Sequence, residues 1–359
     1  MDGIDAALVD LAGTTISLVA YSETPYSTPL RALLEALVGT EKSLSAAEFG
    51  ALNVQIGQEF LLAATSLIVR AGYAPAQIAG IGSHGQTVSH GPKGEFPYTL
   101  QLGDPSVIAA GSEIDTVADF RSKDVALGGQ GAPLVPPFHQ ALFGLPVVAR
   151  AVVNVGGIAN VTLLPGNEGP DIVAFDTGPG NTLLDQWVKL HRNEAYDTGG
   201  VWAKSGETQP KVLEIFLSEP YFHRSPPKST GREDFNMAWV HRALRQAGVQ
   251  YRPVDVQRTL LELTSRTIVS QILRYLPTCT QLVLCGGGAR NPLLVDTLRQ
   301  LATPWTVNLS DELGVPANAI EAMAFAWLAY RRLHDLPGNL PSVTGASRST
   351  LLGAIYAAR

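Results

Sequence analysis

The stretch that decides the fold is Asp-Ile-Val-Ala-Phe-Asp-Thr-Gly-Pro-Gly-Asn at residues 171–181. Its apolar run predicts a strand, which delivers the carboxylate of Asp176 into a Gly-Pro-Gly turn. The Thr-Leu-Leu-Asp-Gln-Trp-Val segment that follows predicts a helix starting near Asn181. An acid at the C-terminal tip of a strand, beside glycines that let a ligand approach the backbone, is a candidate catalytic group. A role as a helix cap or turn residue is the structural alternative.

Composition and charge narrow the class of protein. The 359 residues suffice for two domains, and 45% hydrophobic against 16% charged residues fits a compact α/β protein. A net charge of −6 without a Lys/Arg cluster argues against nucleic-acid binding. The sequence shows no apolar run of about 18 residues and no export leader, so we expect a cytoplasmic protein. The two cysteines, Cys279 and Cys285, are too few for a disulfide framework or a zinc site.

One pattern of elements occurs in both halves of the chain. Residues 4–11 predict a strand that pairs antiparallel, through the Ala12–Gly13 turn, with a strand at residues 14–21. Residues 147–155 predict a strand in the second half, with residues 161–164 as its hairpin partner. Two similar α/β halves, each opening on a glycine-turn hairpin, predict two domains that face each other across a cleft.

Apolar spacing predicts the remaining elements. These are helices at residues 30–37, 46–71, 256–276, 292–301 and 319–333, and strands at residues 78–81, 172–175 and 282–284. The last apolar segment, residues 351–356, is expected to return to the first domain. We therefore place the first domain at residues 1–123 plus 342–359, and the second at residues 124–341.

Two glycine-rich turns are candidate nucleotide contacts. Asn154-Val-Gly-Gly-Ile-Ala-Asn160 joins two strands, and such a turn can aim backbone N–H groups at a phosphate, although a plain tight hairpin is the alternative. Gly286-Gly-Gly-Ala-Arg-Asn291 lies between a strand and a helix, where an anion is favoured. The sequence contains neither a P-loop nor a dinucleotide fingerprint after its early strands. This leaves a nucleotide held by hairpin turns in a two-domain cleft.

Polar side chains gather at three predicted strand ends, residues 83–87, 99–104 and 119–121. Their hydroxyl, amide, carboxylate and guanidinium groups suit a sugar or another polyol with an acidic substituent. Residues 221–233 form a long polar loop, which is either a lid or a surface connector.

Each candidate in these segments has a structural alternative. His84 is either a ligand contact or a strand-end histidine bonded to backbone. Arg121 either binds a substrate carboxylate or pairs with Asp104 or Asp124. Glu321 stands in the first turn of a mostly apolar helix, where an acid often only compensates the helix dipole.

Together these segments resemble the anhydro-N-acetylmuramic acid kinases, sugar kinases of the actin/hexokinase-like superfamily. The resemblance runs in order along nearly the whole chain, and it implies two ribonuclease-H-like α/β domains around a central cleft. The matching phrases are SHGQTV (83–88), TLQLGD (99–104), DFRSKDVALGGQGAPLVPPFH (119–139), NVGGIANVT (154–162), AFDTGPGN (174–181), PPKSTGRE (226–233), CGGGARN (285–291), EAMAFAWLA (321–329) and PGNLPSVTGA (337–346).

The resemblance implies an activity in the recycling of cell-wall peptidoglycan. The family opens the 1,6-anhydro ring of its sugar with water and moves the γ-phosphate of ATP, with Mg²⁺, to the 6-oxygen. The product is N-acetylmuramate 6-phosphate. We expect this small-molecule substrate, no nucleic-acid or membrane partner, and a homodimer as a candidate assembly.

The resemblance also implies roles for particular residues, with Asp176 as the general base that takes a proton from the attacking water. No metal ligand is identified. The nucleotide-side candidates are Asp2, Gly3, Asp5, Asn154, Gly156, Gly157, Asn160, Gly178, Gly286, Gly287, Gly288 and Asn291. The sugar-side candidates are His84, Gln86, Gly103, Asp104, Arg121 and Glu321.

The sequence departs from the family at its start. Family members begin with a strand and a Ser-Gly-Thr-Ser-x-Asp-Gly-x-Asp loop around the ATP phosphates, whereas this sequence opens inside that motif at Met1–Asp5. The first strand and half of the phosphate loop are therefore missing, and we expect a start codon assigned too late. Loss of an interior strand would leave backbone groups unpaired and would impair ATP binding.

Two other classes of function remain open. An ATP-independent anhydro-sugar hydrolase could use the carboxylates of Asp176 and Glu321 alone. An inactive sugar- or nucleotide-binding protein, or an actin-like assembly protein, would need no base at Asp176. Consumption of ATP separates the kinase from the hydrolase, and turnover separates both from a binder.

Overall fold

The computed structural model describes residues 3–13, 15–38, 43–166, 169 and 171–359. The chain divides into two compact units. Unit 1 comprises Met1–Leu142 and Ala319–Arg359, and unit 2 comprises Phe143–Asn318. Asp2, one of the predicted nucleotide contacts, lies outside the described residues.

The elements alternate between strands and helices in both units, so the predicted α/β class is confirmed. In chain order, unit 1 begins with β1 (Ile4–Asp10), β2 (Ser17–Thr24), α1 (Thr28–Val38), α2 (Ala46–Arg70), β3 (Ile81–Gly82), β4 (Gln86–Gly91), β5 (Tyr98–Leu102), α3 (Pro105–Ser112), β6 (Thr116–Ala118), α4 (Ser122–Ala126) and α5 (Pro136–Phe143). Unit 2 follows with β7 (Arg150–Val155), β8 (Ile158–Leu164), β9 (Val173–Pro179), α6 (Thr182–Arg192), α7 (Val201–Lys204), α8 (Pro210–Leu217), α9 (Pro220–His223), α10 (Met237–Ala247), α11 (Pro253–Tyr275), β10 (Gln281–Cys285), α12 (Pro292–Leu301) and β11 (Thr306–Leu309). The chain returns to unit 1 with α13 (Ile320–Leu333), α14 (Pro341–Thr344) and β12 (Ala354–Tyr356).

The sheet of unit 2 has the strand order β11-β10-β7-β8-β9. β7, β8 and β9 form an antiparallel meander, whereas β10 and β11 run parallel to β7. This is the strand order of a ribonuclease-H-like sheet, as the resemblance implies. Alternate strand residues such as Val153, Val161 and Phe175 point to one face, where they join Trp187 and Leu260 in the main hydrophobic core.

The described residues of unit 1 form three smaller sheets. β1 and β2 form the predicted hairpin, β4 pairs with β5, and β12 pairs with β6, which in turn pairs with β3. β1 and β3 both line a cavity of about 890 Å³, whose walls are mainly apolar. Helix α13 packs against both strands.

The long helix α2 begins at a capping box. Ser45 Oγ accepts a hydrogen bond from the Glu48 amide, and the Glu48 carboxylate accepts one from the Ser45 amide. Of the helices in the described ranges, α2 alone is long and apolar enough to cross a membrane. Core helices of globular proteins meet the same criterion, and Leu52, Ile56 and Leu67 are buried in unit 1. This feature by itself therefore does not indicate a membrane span.

The limits of the compact units differ from the predicted domain boundaries. Residues 124–142 and 319–341, which we assigned to the second domain, belong to unit 1. Helix α13 is held there by its packing on β1 and β3. The return of the chain end to the first half was predicted, and β12 does pair with β6. The predicted strand at residues 78–81 is displaced, because only Ile81 and Gly82 pair with β6.

Asp124 connects two segments of unit 1. Its carboxylate is fully buried and accepts hydrogen bonds from the amide of Gly131 (2.8 Å), Asn339 Nδ2 (2.8 Å) and Thr344 Oγ1 (2.7 Å). These bonds tie the segment after α4 to the segment around α14. The buried carboxylate therefore stabilises the return of the chain to unit 1.

We predict that Asp124→Ala lowers the free energy of unfolding by about 3 kcal/mol or more, because three buried donors lose their hydrogen-bond acceptor. The midpoint of urea denaturation, read at an unchanged slope, measures this loss. Asp171→Ala is the matched control, since Asp171 is exposed; its effect should stay within about 0.5 kcal/mol. Equal midpoints for the two variants would contradict the prediction.

Candidate active site

Asp176 lies inside strand β9 and not at its tip. We predicted that the strand ends at Phe175, but β9 continues to Pro179. The reason is a β-bulge: Asn160 pairs with Asp176 and Ala159 pairs with Gly178, which leaves Thr177 as an extra residue. The Thr177 hydroxyl donates to the Ala159 carbonyl oxygen at 3.2 Å and so holds the bulge.

Three predicted site residues form a row across the sheet of unit 2. In the strand register Asn154 pairs with Asn160, and Asn160 pairs with Asp176. Directly paired residues share a face and stand roughly 5 Å apart. Their neighbours Val153, Val161 and Phe175 point to the opposite face, into the hydrophobic core. The core packing therefore fixes which way the polar row points.

Helix α9 and the loop that follows it hold Asp176 at three points. The Asp176 amide donates to the Lys228 carbonyl oxygen at 3.3 Å. The Thr230 amide donates to Asp176 Oδ2 at 3.0 Å, and the Tyr221 hydroxyl donates to the Asp176 carbonyl oxygen at 2.8 Å. Within the part of the chain that the structure describes, Oδ1 receives no hydrogen bond. One carboxylate oxygen is thus fixed and the other is left to accept a proton.

The surroundings of Asp176 act on its pKa in opposite directions. Burial raises the pKa, whereas the hydrogen bond from the Thr230 amide and the positive charge of Lys228 lower it. The net direction is upward from the usual value of an aspartate. A carboxylate whose pKa is raised is a stronger base than an exposed one, which suits proton abstraction.

The two glycine turns follow the carboxyl ends of β7 and β10, and we call this end of the unit 2 sheet its carboxyl edge. β7 and β10 are parallel neighbours, so the Gly156–Gly157 turn and the Gly286–Gly288 segment follow strand ends that lie side by side. Asn181 Nδ2 donates to the Val155 carbonyl oxygen at 3.1 Å and ties the start of α6 to the same edge. Gly286 has φ +78, and a Cβ there would overlap Asn154 Oδ1. A residue with a side chain would not fit at position 286, so the backbone can be approached closely there, as in a turn that binds phosphate.

Two of the predicted nucleotide residues also have structural roles. Asn291 caps helix α12, because its Oδ1 accepts hydrogen bonds from the amides of Leu293 (3.2 Å) and Leu294 (3.3 Å). Gly178 has φ +145 and leaves room for the ring of Phe222. These contacts explain the residue types without a ligand, so a direct role in nucleotide binding stays a prediction for both.

His84 and Arg121 form a polar pair in unit 1. Arg121 Nε donates to His84 Nε2 at 2.9 Å, and Arg121 Nη1 donates to the Gly131 carbonyl oxygen at 2.7 Å. The ring of His84 packs against Phe325, with centroids 4.3 Å apart. Burial first, and then the charge of Arg121, lowers the pKa of His84 to about 3. His84 is therefore a neutral acceptor that orients the guanidinium.

Glu321 stands near this pair, in the wall of the cavity of unit 1. Glu321 is exposed to solvent, although many protein atoms lie around its carboxylate. Desolvation raises the pKa of Glu321, Arg121 opposes this shift, and Asp5 reinforces it. Asp5 also lines the cavity and accepts a hydrogen bond from the Tyr21 hydroxyl. The structure thus brings together four predicted site residues, namely Asp5, His84, Arg121 and Glu321.

Of the other predicted residues of unit 1, Gln86 and Gly3 line the cavity, whereas Gly103 and Asp104 do not. Gln86 lines the same cavity, and its Oε1 accepts a hydrogen bond from the Tyr26 hydroxyl at 3.3 Å. Asp104 caps helix α3 by accepting from the Ser106 amide at 2.8 Å. Gly103 has φ +121, and its amide donates to Asn53 Oδ1 at 2.8 Å. Gly3 lines the cavity and lies against the backbone of Thr24.

Sequence reasoning missed the residues that surround Asp176. Tyr221, Lys228 and Thr230 belong to the polar loop at residues 221–233, which was predicted only as a lid or a connector. Arg232 lies on the same loop, with Nη2 3.9 Å from the position a Gly157 Cβ would occupy. Its charge partly offsets the burial that raises the pKa of Asp185 to about 6. A cation beside a glycine turn is suited to phosphate.

Comparisons with known proteins show the family to which the chain belongs. The model of the family described as anhydro-N-acetylmuramic acid kinase matches residues 1–358. The chain is 49% identical over 359 residues to the anhydro-N-acetylmuramic acid kinase of Vibrio vulnificus (strain CMCP6), with 99% of this chain and 95% of the relative covered. It is 47% identical over 358 residues to that of Saccharophagus degradans (strain 2-40 / ATCC 43961 / DSM 17024), with 99% and 95% covered.

Among solved structures, the chain is similar to the activator of the 2-hydroxyisocaproyl-CoA dehydratase from Clostridium difficile with bound ADPNP. The identity is 11% and the TM-score is 0.40, with 92% of this chain and 98% of that chain covered. The family match and the sequence identities extend over both units and include every segment described above. The chain is therefore an ATP-binding phosphotransferase that belongs to the anhydro-N-acetylmuramic acid kinase family.

Proposed function

We propose that this chain opens 1,6-anhydro-N-acetylmuramic acid with water and phosphorylates it with Mg-ATP, giving N-acetylmuramate 6-phosphate and ADP. The observation that carries the proposal is the carboxylate of Asp176, which is held through Oδ2 and leaves Oδ1 to accept a proton. It stands in a polar row that starts beside the glycine turns. The proposed setting is the recycling of peptidoglycan in the cytoplasm.

Asp176 acts as the general base in the first step. Oδ1 takes a proton from water as the water oxygen bonds to the anomeric carbon. The bond between that carbon and the 6-oxygen breaks, and the 6-oxygen keeps the electron pair. It then attacks the γ-phosphorus, and ADP leaves. A positioned base contributes roughly 10²- to 10⁴-fold to such a step.

The phosphates are proposed to lie at the carboxyl edge of the unit 2 sheet. The Gly156–Gly157 and Gly286–Gly288 segments offer backbone N–H groups, and Arg232 adds positive charge. In the described part of the chain, no group of three or more His, Cys, Asp or Glu side chains could hold a metal ion. Mg²⁺ commonly binds through substrate phosphates and water with one or two carboxylates. We propose that it enters with ATP.

The sugar is proposed to contact the polar group of unit 1. Arg121, oriented by His84 and Gly131, offers N–H donors that match the carboxylate of the sugar's acidic substituent. Glu321 and Gln86 supply oxygen and amide groups for its hydroxyls. Asp5, His84 and Glu321 line this cavity together with Gln86, and their polar groups suit a sugar.

The first prediction concerns the base. Asp176→Asn keeps the size of the side chain but cannot take a proton, so formation of the phosphorylated sugar should fall by about 10²-fold or more. Mass spectrometry of the product after incubation with Mg-ATP and the anhydro-sugar measures this. Asp171→Asn, at an exposed position, is the control. An Asp176→Asn variant as fast as the original chain would exclude the proposed base. Opening of the sugar without consumption of ATP would instead indicate the hydrolase.

The second prediction concerns the sugar-side pair. His84 should stay neutral from about pH 5 to 8, because its pKa is lowered to about 3 and its Nε2 lone pair is occupied by Arg121. NMR of the histidine rings, with His84→Gln to identify the signal, tests this. A titration of that signal between about pH 6 and 7 would show that the pair is broken in solution.

A further inference from the structure

Lys228 lies in an unusual position for a lysine. Its Nζ donates to the Tyr221 carbonyl oxygen at 3.3 Å and to Gln271 Oε1 at 3.2 Å. The same ammonium stands over two rings, 4.8 Å from the centroid of Tyr221 and 5.5 Å from that of Phe175. The lysine is thus bound on several sides to the elements that surround Asp176.

The two residues that accept hydrogen bonds from Lys228 are themselves held by hydrogen bonds. Gln271 is buried in helix α11, and its Nε2 donates to the Phe222 carbonyl oxygen at 2.7 Å. Tyr221, the other acceptor, is buried and donates its hydroxyl to the Asp176 backbone. The ammonium therefore connects the loop at residue 228 to α9 and α11, which pack on β9.

The main chain next to Lys228 carries the contacts to Asp176. The Lys228 carbonyl oxygen accepts from the Asp176 amide, and two residues later the Thr230 amide donates to Oδ2. A shift of this segment would move the carboxylate directly. We infer that Lys228 is a positioning residue, which fixes the loop so that Asp176 presents Oδ1 to water. This inference rests on the proposed role of Asp176 as base.

The charge of Lys228 contributes as well. The charged groups that act on it are Asp176 on β9, Arg224 after α9 and Arg274 on α11. Burial, followed by the two arginines, lowers the pKa of Lys228 to about 8, while Asp176 opposes the shift. Below that pH the charge of the ammonium lowers the pKa of Asp176 and so favours the ionised form of the base. Above it, the lysine loses its charge and its hold on both acceptors weakens.

The test compares steady-state kinetics of the full chain with Lys228→Met and Lys228→Arg between about pH 6 and 10. Lys228→Met should lower kcat roughly 10- to 100-fold, with KM for ATP and sugar nearly unchanged, because the base is displaced. The acid limb of the pH–rate profile of Lys228→Met should move to higher pH, because the pKa of Asp176 rises without the lysine charge. Lys189→Met, on the exposed end of α6, is the matched control.

Lys228→Arg separates a charge effect from a loss of packing. The original chain should lose activity above about pH 8, and Lys228→Arg should retain it there because arginine stays charged. An unchanged alkaline limb in Lys228→Arg would overturn the inference even if Lys228→Met fails to fold. A folded Lys228→Met variant with the kcat and the pH profile of the original chain would also overturn the inference.

Asp176→Asn distinguishes a failure of the positioning role of Lys228 from a failure of the proposed base. If Asp176→Asn is inactive while the Lys228 variants behave as the original chain, the positioning role fails and the proposed base stands. If Asp176→Asn retains full activity, the base itself is wrong, and with it the inference.

Discussion

The bulge between β8 and β9 is the constraint on which the candidate active site depends. Side chains alternate between the two faces of a strand, so a one-residue change of register sends them to the opposite face. The extra residue, Thr177, lets Asp176 share a face with Asn160 while Gly178 pairs with Ala159. The hydrophobic residues of β7 to β9 fix the other face against the core. The same packing that stabilises unit 2 thus also aims its carboxylate.

Close backbone approach is the second constraint on this site. Gly286 and Gly180 lie where a Cβ would overlap Asn154 Oδ1 and the Gly156 carbonyl oxygen. The strand ends can therefore come close together, as the proposed binding of phosphate by their backbone amides requires. The loop that carries Lys228 and Thr230 completes the surroundings of Asp176 from the other side.

Much of this arrangement could be predicted from the sequence, because it depends on local patterns. Apolar spacing located the helix at residues 292–301, and the glycine turns and Asp176 stood out as motifs. The bulge could not be predicted, since β9 looks like a strand that ends at Phe175 until its partner is known. The contacts of Lys228 could not be predicted either, because its partners Tyr221 and Gln271 are 7 and 43 residues away in the chain. The sequence could not decide the role of Asp104 for another reason: its carboxylate caps helix α3, which explains an aspartate there without a ligand.

The central claim is that Asp176 activates a water molecule that attacks the anomeric carbon. The most direct measurement is the position of ¹⁸O in the sugar product after a single turnover with Mg-ATP in ¹⁸O-water. We predict the label in the hydroxyl on the anomeric carbon, ordinary oxygen in the bridge between carbon 6 and phosphorus, and labelled product that forms about 10²-fold or more slowly with Asp176→Asn. Label in inorganic phosphate with the sugar unopened, or label at carbon 6, would contradict the account.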